Sequence, residues 1–283
     1  MDGLPEFLTW ASATTFFNSA FTTSLVGALA GAYAGATAAQ RIAERTKERD
    51  QLLAQIRSTN AAIMVAFGIC NAALSLKEQQ TKSLCDAFSA KKAELTEFLR
   101  KRKAGQIASD TPFEFRADLR SLQVPVVPID VLRTQVYEKL SVSGRPLALV
   151  ATLAGSLSSL SDTIATRNQL IDGFKRLSPE THNTLAALYF GLPVGGGHVS
   201  TEYADTIESI HTLTDDVIFF SDLLCRDLAD HGNKILGKYK THFNDKLETI
   251  HSISFANAKA VGLMPSEERY TDWLHGFQKR QKT

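Results

Sequence analysis

The chain has 283 residues, of which 44% are hydrophobic and 22% are charged, and its formal net charge at pH 7 is +1. A chain this close to neutral has no bulk electrostatic attraction to nucleic acid, so we expect no nucleic-acid partner. Its three cysteines, Cys70, Cys85 and Cys225, are too few and odd in number for a disulfide framework, and each lies in an apolar helical pattern. This composition indicates a cytoplasmic body, and no motif in the chain names a reaction.

The first feature along the chain is a run without charge from residue 7 to residue 40. It is longer than the roughly 20 apolar residues that a membrane-spanning helix needs. Gly27, Gly31 and Gly35 recur at every fourth position, so they share one helix face (the glycine face) that a second helix backbone can approach closely. We expect residues 1–40 to form a short external tail and a transmembrane helix that self-associates through this face. A buried, Ala/Gly-rich core helix of a soluble protein is the alternative.

The charges on either side of this run predict its orientation. The tail before it carries Asp2 and Glu6 and no lysine or arginine. Four basic residues follow it closely: Arg41, Arg45, Lys47 and Arg49. Because excess Lys/Arg marks the cytoplasmic side, we expect a single span of the inner (cytoplasmic) membrane, with the N-terminus outside and the C-terminal domain in the cytoplasm. A cleaved signal peptide is disfavoured, since such peptides begin with a positive region and this chain begins negative.

Residues 41–105 are predicted to form a long helical stalk. Apolar residues recur at heptad spacing from Leu53 to Phe98, and polar Asn60 lies within that pattern. The pattern fits a coiled coil between chains, in which Asn60 fixes the register of the oligomer, and equally a long helix of an intramolecular bundle. Residues 58–76 also lack charge, but they continue the heptad pattern of their charged neighbours. We therefore interpret them as a buried bundle helix rather than as a second membrane span.

A break follows this helix, and a second helical region follows the break. Gly105 and the prolines Pro112, Pro125 and Pro128 forbid a continuous helix, so we place a domain boundary there and expect residues 106–283 to form a helical bundle. Further helix starts are predicted near Asp130, Pro146, Ser178, Ser200 or Thr201, and Ser266, and the helix after residue 200 is expected to end near Gly232. Strand alternation is nearly absent. The predicted fold is all-α: one N-terminal transmembrane helix, a long helical stalk and a cytoplasmic helical bundle.

Patterns that carry catalysis or bind metal are weak in this chain. The glycines at residues 195–197 lack the Gly-Lys-Ser/Thr of a phosphate-binding loop. Two Glu-x-x-His pairs, Glu208 with His211 and Glu248 with His251, resemble part of a di-iron set. Helical spacing, however, places both pairs beside the apolar stripes of their helices rather than on them. We therefore expect no catalytic residue, no metal, no cofactor and no enzymatic activity.

The distal half of the chain has an asymmetric charge distribution. Residues 200–231 contain eight acidic residues against one basic residue, whereas residues 91–103 are strongly basic. One interpretation is an ordinary solvated helix face. The sharper interpretation is an acidic surface that binds a protein partner with a basic surface, or the chain's own segment 91–103. The residues assigned to that surface are Asp205, Glu208, Asp215, Asp216 and Asp222.

Two classes of function are consistent with this layout. The first is a non-enzymatic, membrane-anchored homo-oligomer whose cytoplasmic domain senses a signal or binds a partner and which perturbs the membrane. In layout it looks like the small single-span effectors that bacterial immunity and toxin systems use to damage their own membrane, which is an analogy of architecture. The alternatives are a membrane-tethered scaffold or ligand receptor, and an enzyme with a pocket between bundle helices. The small polar residues of the span fit permeabilisation and simple anchoring equally well.

Overall fold

The computed structural model describes residues 20–108, 110–177, 182–193, 198–243 and 249–277. The chain is 77% helical, and these residues contain no strand, which confirms the all-α fold. The helices are α1 (Ala20–Leu76), α2 (Lys82–Lys103), α3 (Ile129–Thr134), α4 (Arg145–Lys175), α5 (His182–Phe190), α6 (Glu202–His242), α7 (Ala256–Ala260) and α8 (Thr271–His275). A π-helical turn joins α1 to α2 (Lys77–Thr81), another follows α3 (Gln135–Lys139), and a 3-10 turn (Glu267–Tyr270) leads into α8.

The chain divides into two compact units, Met1–Ala54 and Gln55–Thr283. Residues 20–54 of the first unit are described, and all of them belong to α1. The second unit, called the helical body below, contains the rest of α1 and all later helices. The boundary expected at residue 105 does not coincide with this division. Residues 55–103 belong to the helical body because their apolar stripe packs inside it.

The second half of α1 packs against α6. The Cys225 thiol of α6 lies 3.8 Å from the carbonyl oxygen of Ile63, and the Cys70 thiol of α1 lies 3.7 Å from that of Ile218. Residue numbers that increase along α1, from 63 to 70, are paired with numbers that decrease along α6, from 225 to 218. The two helices therefore run antiparallel. Burial raises the pKa of Cys70 to about 12 and raises that of Cys225 as well. Both thiols thus serve as small apolar side chains of the core.

The heptad pattern is covered within one chain. Five of its positions are buried in the helical body: Ile56, Ile63, Leu84, Phe88 and Leu95. Phe67 and Phe98 are partly buried against the same core. Of the two arrangements that the spacing allowed, these residues adopt the intramolecular bundle. The charge-free segment 58–76 lies in the same core, which accounts for its missing charge without a second membrane span.

Asn60 makes its polar contacts inside the chain, in place of the oligomer interface that its heptad position suggested. Its amide nitrogen donates to the carbonyl of Thr249 at 3.1 Å, and its amide oxygen accepts from the backbone N–H of His251 at 3.0 Å. The side chain is buried, and both of its polar ends are satisfied. The register that Asn60 fixes is therefore that of the segment 249–251 against α1.

α4 flanks α6 on another side and also runs antiparallel to it. At the start of α4, Arg145 donates to the carboxylate of Asp227 at 2.8 Å. Near the end of α4, Arg167 donates to the hydroxyl of Tyr203 at 3.3 Å. Pro146 lies in the first turn, as predicted, because that position needs no backbone N–H. α6 is consequently the central helix of the body, with α1 and α4 packed against it.

Other helix starts follow the signals in the sequence. The start predicted near Asp130 is confirmed by α3, and the π-helical turn Gln135–Lys139 continues it. The hydroxyl of Ser266 accepts from the backbone N–H of Glu268 at 3.3 Å, which caps the 3-10 turn before α8. The start predicted at Ser178 and the glycines at 195–197 lie outside the described residues.

α6 continues to His242, well beyond the end predicted near Gly232. Gly232 does not terminate the helix. A Cβ added there would lie 2.9 Å from Cγ2 of Thr59 and 2.8 Å from Cδ1 of Ile250. The glycine is required for the close approach of α6 to α1 and to the segment that contains Ile250.

We expect Gly232→Ala to destabilise the chain by about 1–3 kcal/mol, because the added methyl group overlaps two packed side chains. Gly237→Ala on the same helix is the matched control, since its Cβ would enter open space. That change should stabilise the helix by up to about 1 kcal/mol. Denaturant unfolding followed by circular dichroism measures both. Equal stability of the two variants would contradict the close contact at Gly232.

Candidate functional site

The described part of the first unit presents an apolar helix surface. Five large apolar side chains along it are between 47% and 77% exposed: Leu25, Val26, Leu29, Tyr33 and Ile42. Such an apolar surface on a soluble monomer marks a site that contacts a membrane or another protein. This helix surface is therefore the first candidate functional site.

The glycine face lies on the same helix. A Cβ added at Gly27, Gly31 or Gly35 meets no atom of the described residues within 4 Å. All three glycines lie in the interior of α1, so none of them serves a turn. The face is open to the backbone of a second helix, and self-association through it remains a prediction.

By length and composition, two helical runs within the described ranges could cross a membrane: Thr22–Lys103 and Arg145–Lys175. The core helix of a soluble protein has the same properties. Arg145–Lys175 is α4, whose residues Leu149, Leu153 and Leu160 are buried against the rest of the body. The most apolar stretch of Thr22–Lys103 is 56% buried, whereas Leu25, Val26, Leu29, Tyr33 and Ile42 at its start are exposed. The exposure of these side chains, rather than hydropathy, makes the segment before residue 43 a candidate for a membrane span.

A second candidate site is a buried ionic cluster formed by Lys77, Asp215 and Arg269. The Lys77 ammonium lies 2.5 Å from Oδ1 of Asp215 and 2.8 Å from the carbonyl of Leu263. The Arg269 guanidinium lies 2.7 Å from the other carboxylate oxygen, Oδ2. Lys77 is 5% exposed and Asp215 is 3% exposed. Two ions this deeply buried are tolerated only when they are paired and hydrogen-bonded, as they are here.

Asp216 and Tyr270 extend this cluster. The Tyr270 hydroxyl donates to the Asp216 carboxylate at 2.9 Å, and the Tyr270 ring stacks on Phe219 with 3.7 Å between ring centroids. Burial raises the pKa of Asp216, and the hydrogen bond from Tyr270 opposes that rise. Trp273 packs on Phe220, with 5.0 Å between ring centroids. Polar and aromatic contacts together fasten the segment around residues 263–273 to α6.

The five acidic residues assigned to a partner surface do not form one surface. Asp215 lies in the core and Asp216 is half-buried against Tyr270. Asp222 is partly buried and pairs with Arg226 at 3.0 Å. Asp205 and Glu208 are exposed on the first turns of α6. The interpretation of Asp215 as a surface charge is corrected by its ion pairs, because the apolar stripe of α6 carries it into the core.

The Glu-x-x-His pair Glu208 and His211 lies within the described residues, and the pair Glu248 and His251 lies only partly within them. No group of three His, Cys, Asp or Glu residues there is placed to hold a metal ion. His211 lies 3.9 Å from the Asp215 carboxylate and thus borders the ionic cluster. Glu248 lies outside the described residues, whereas His251 contributes its backbone N–H to Asn60.

Lys77→Met is expected to destabilise the chain by about 3 kcal/mol or more, because it leaves Asp215 buried with one counter-charge fewer. Lys82→Met is the matched control, since Lys82 pairs with Asp86 at the surface. Such exposed pairs contribute less than about 1 kcal/mol. Adding Asp215→Leu to Lys77→Met should recover part of the loss in a double-mutant cycle measured by denaturant unfolding. Equal stability of the two single variants would show that the buried pair is not a constraint on the fold.

Comparison with known protein families, curated proteins and solved structures finds no match to this chain. Its function is therefore inferred from its own residues. The two features that stand out are the apolar helix with the glycine face and the ionic cluster inside the helical body.

Proposed function

We propose that this chain is a non-enzymatic, membrane-anchored protein that self-associates through the glycine face, and whose helical body senses a signal or binds a partner in the cytoplasm. The observation that carries this proposal is the helix of the first unit, where large apolar side chains are exposed and three glycines face open space. Both properties are costly in water, and both are useful in a bilayer.

The anchoring step rests on length and charge. The charge-free run at residues 7–40 continues into the described helix, which begins at Ala20. The first basic residues after the run, Arg41 and Arg45, fit the cytoplasmic end of a span. An N-terminus outside and a helical body inside follow from this positive flank.

The self-association step rests on the composition of the span. In a bilayer the hydrophobic effect does not drive helices together, so association depends on close packing. Glycines at i, i+4 and i+8 allow the closest packing of two helices. The hydroxyl of Thr37 donates to the carbonyl of Tyr33 on its own helix at 2.7 Å, so this hydroxyl needs no partner on a second helix. Small and internally satisfied residues therefore line this helix, as close helix–helix contact requires.

In one form of this proposal, the assembled chain is an effector that perturbs the membrane. The span includes Asn18, Thr22, Thr23 and Ser24, whose polar groups can bond across helices or face a wet interior. The same residues serve a scaffold that only assembles. The layout resembles single-span effectors of bacterial immunity and toxin systems, and the membrane potential distinguishes an effector from a scaffold.

Full-length protein should remain in the membrane pellet after carbonate washing, and a C-terminal reporter that works only in the periplasm should stay silent. Leu29→Arg should reduce membrane retention, since a charge at the centre of a span costs about 2.5–3.5 kcal/mol. Ile42→Arg, which adds the same charge to an exposed residue in the basic flank, should not. Wild-type protein in the soluble fraction would contradict the anchor.

Gly31→Leu should lower the yield of crosslinked oligomer in membranes, because a bulky side chain would separate helices that meet at the glycine face. Gly68→Leu is the matched control: it lies on the same helix, and a Cβ there also enters open space, but it lies within the helical body. Equal crosslinking of the two variants would exclude the glycine face as the interface.

In cells that express each variant at equal level, a voltage-sensitive dye should report depolarisation for wild type and Gly68→Leu and none for Gly31→Leu. An unchanged membrane potential in cells that express wild type would leave only the scaffold form of the proposal.

A further inference from the structure

A cleft of about 320 Å³ lies beside the π-helical turn Lys77–Thr81. This volume is at the lower end of the range for small-molecule sites, which is about 300–1,000 Å³. Its polar lining comes from three separate parts of the chain: Gln79, Gln80, Arg120, Ser121, Gln123 and Arg167. A π-helical turn is rare and occurs frequently at functional sites.

Arg167 is the informative residue of this cleft. It is 0% exposed, yet no carboxylate of the described residues lies within ion-pair distance of its guanidinium. One terminal nitrogen donates to the carbonyl of Arg120 at 2.9 Å and the other to the hydroxyl of Tyr203 at 3.3 Å. Its Nε is buried and has no hydrogen-bond partner among the described residues. A buried cation with neutral partners and an unused donor is costly unless an anion approaches it.

The other charges of the cleft leave it positive. Asp118 lines the cleft as well, but it is bound to Arg120, whose guanidinium lies 2.7 Å from its carboxylate. That hydrogen bond holds the pKa of Asp118 below its usual value, and the charge of Arg167 adds a smaller lowering. Two arginines against one aspartate give the lining a net charge of +1. The Arg120 side chain is 85% exposed and can therefore turn toward a ligand.

The amides on the π-helical turn complete a donor set. Gln79 and Gln80, whose side-chain amides are hydrogen-bond donors, line one wall of the cleft. Ser121 and Gln123 line the wall formed by the segment after Arg120. Neutral donors around paired cations are the usual surroundings of a phosphate or carboxylate group, which accepts several hydrogen bonds at once.

We propose that this cleft binds a small molecule with an oxyanion group, a phosphate or a carboxylate, held by Arg120 and by the charge of Arg167, with amide donors from the π-helical turn. Every residue of the site lies in the helical body. The inference therefore goes beyond membrane anchoring and holds whether or not the first unit enters a bilayer.

Isothermal titration of the purified full-length chain with inorganic phosphate and with citrate, against sodium chloride of the same ionic strength, tests the proposal. We expect one site per chain. Arg120→Gln should weaken binding at least about tenfold, as expected for loss of a charge-assisted hydrogen bond. Arg133→Gln is the control, since Arg133 is also an exposed arginine in an ion pair with a nearby aspartate, Asp130, and lies outside the cleft. It should bind as wild type does.

Arg167 donates a hydrogen bond to the carbonyl of Arg120, so an Arg167 variant would also disturb the backbone of the cleft. Gln79→Leu therefore serves as the second variant. It removes a donor from an exposed position of the cleft and should weaken binding without unfolding the chain. Tighter binding of phosphate identifies a phosphorylated ligand, and tighter binding of citrate identifies a carboxylate ligand. Absence of binding by both anions overturns the proposal. Equal binding by wild type, Arg120→Gln and Gln79→Leu overturns it as well.

Discussion

The helical body depends on the buried ion pair between Lys77 and Asp215. Neither charge can be left alone in the core, so the pair fixes the position of the turn after α1 against the middle of α6. Lys77 also donates to the carbonyl of Leu263, and Arg269 pairs with the other carboxylate oxygen of Asp215, so both contacts hold the C-terminal segment at the same point. Three segments of the helical body thus meet at one pair of buried charges, and a shift in register of any of them would separate these charges.

The π-helical turn gives this pair a link to the cleft. Lys77 begins the turn and reaches into the core, while Gln79 and Gln80 on the same turn line the cleft. A ligand that contacts these amides would act on a turn whose first residue is held by Asp215. The π-helical turn thus holds one end of the buried ion pair and also lines the cleft. An anion that binds in the cleft of the folded chain alone would raise the stability of the helical body.

The sequence predicted the elements of the body better than their partners. Heptad spacing identified the buried stripe that includes Ile63 and Leu84, but a stripe does not say which helix covers it, so the choice between one chain and several stayed open. Gly232 was interpreted as a helix end because glycine is a common stop signal, whereas its role in close packing depends on Thr59 and Ile250, which are distant in sequence. Asp215 was placed on an acidic surface because acids are seldom buried. The signal that could have corrected this was Lys77, a base at a buried heptad position that requires an acidic partner.

The same reasoning explains why Arg167 points to a ligand. Leu160, Ile164 and Ile171 belong to the buried stripe of α4, and Arg167 lies on that stripe between Ile164 and Ile171. Lys77 has the same kind of position on the buried heptad stripe. A base on an apolar stripe predicts a counter-charge inside the fold. For Lys77 the body supplies Asp215. For Arg167 the described residues supply a carbonyl, a hydroxyl and the ring of Tyr203 at 5.6 Å, but no carboxylate at ion-pair distance. The segment that brings Arg120 to the cleft is irregular, so no periodicity could have revealed the site. Arg167 does point to the site, because a stripe position that disfavours charge is occupied here by an arginine that lines an anion-sized cleft.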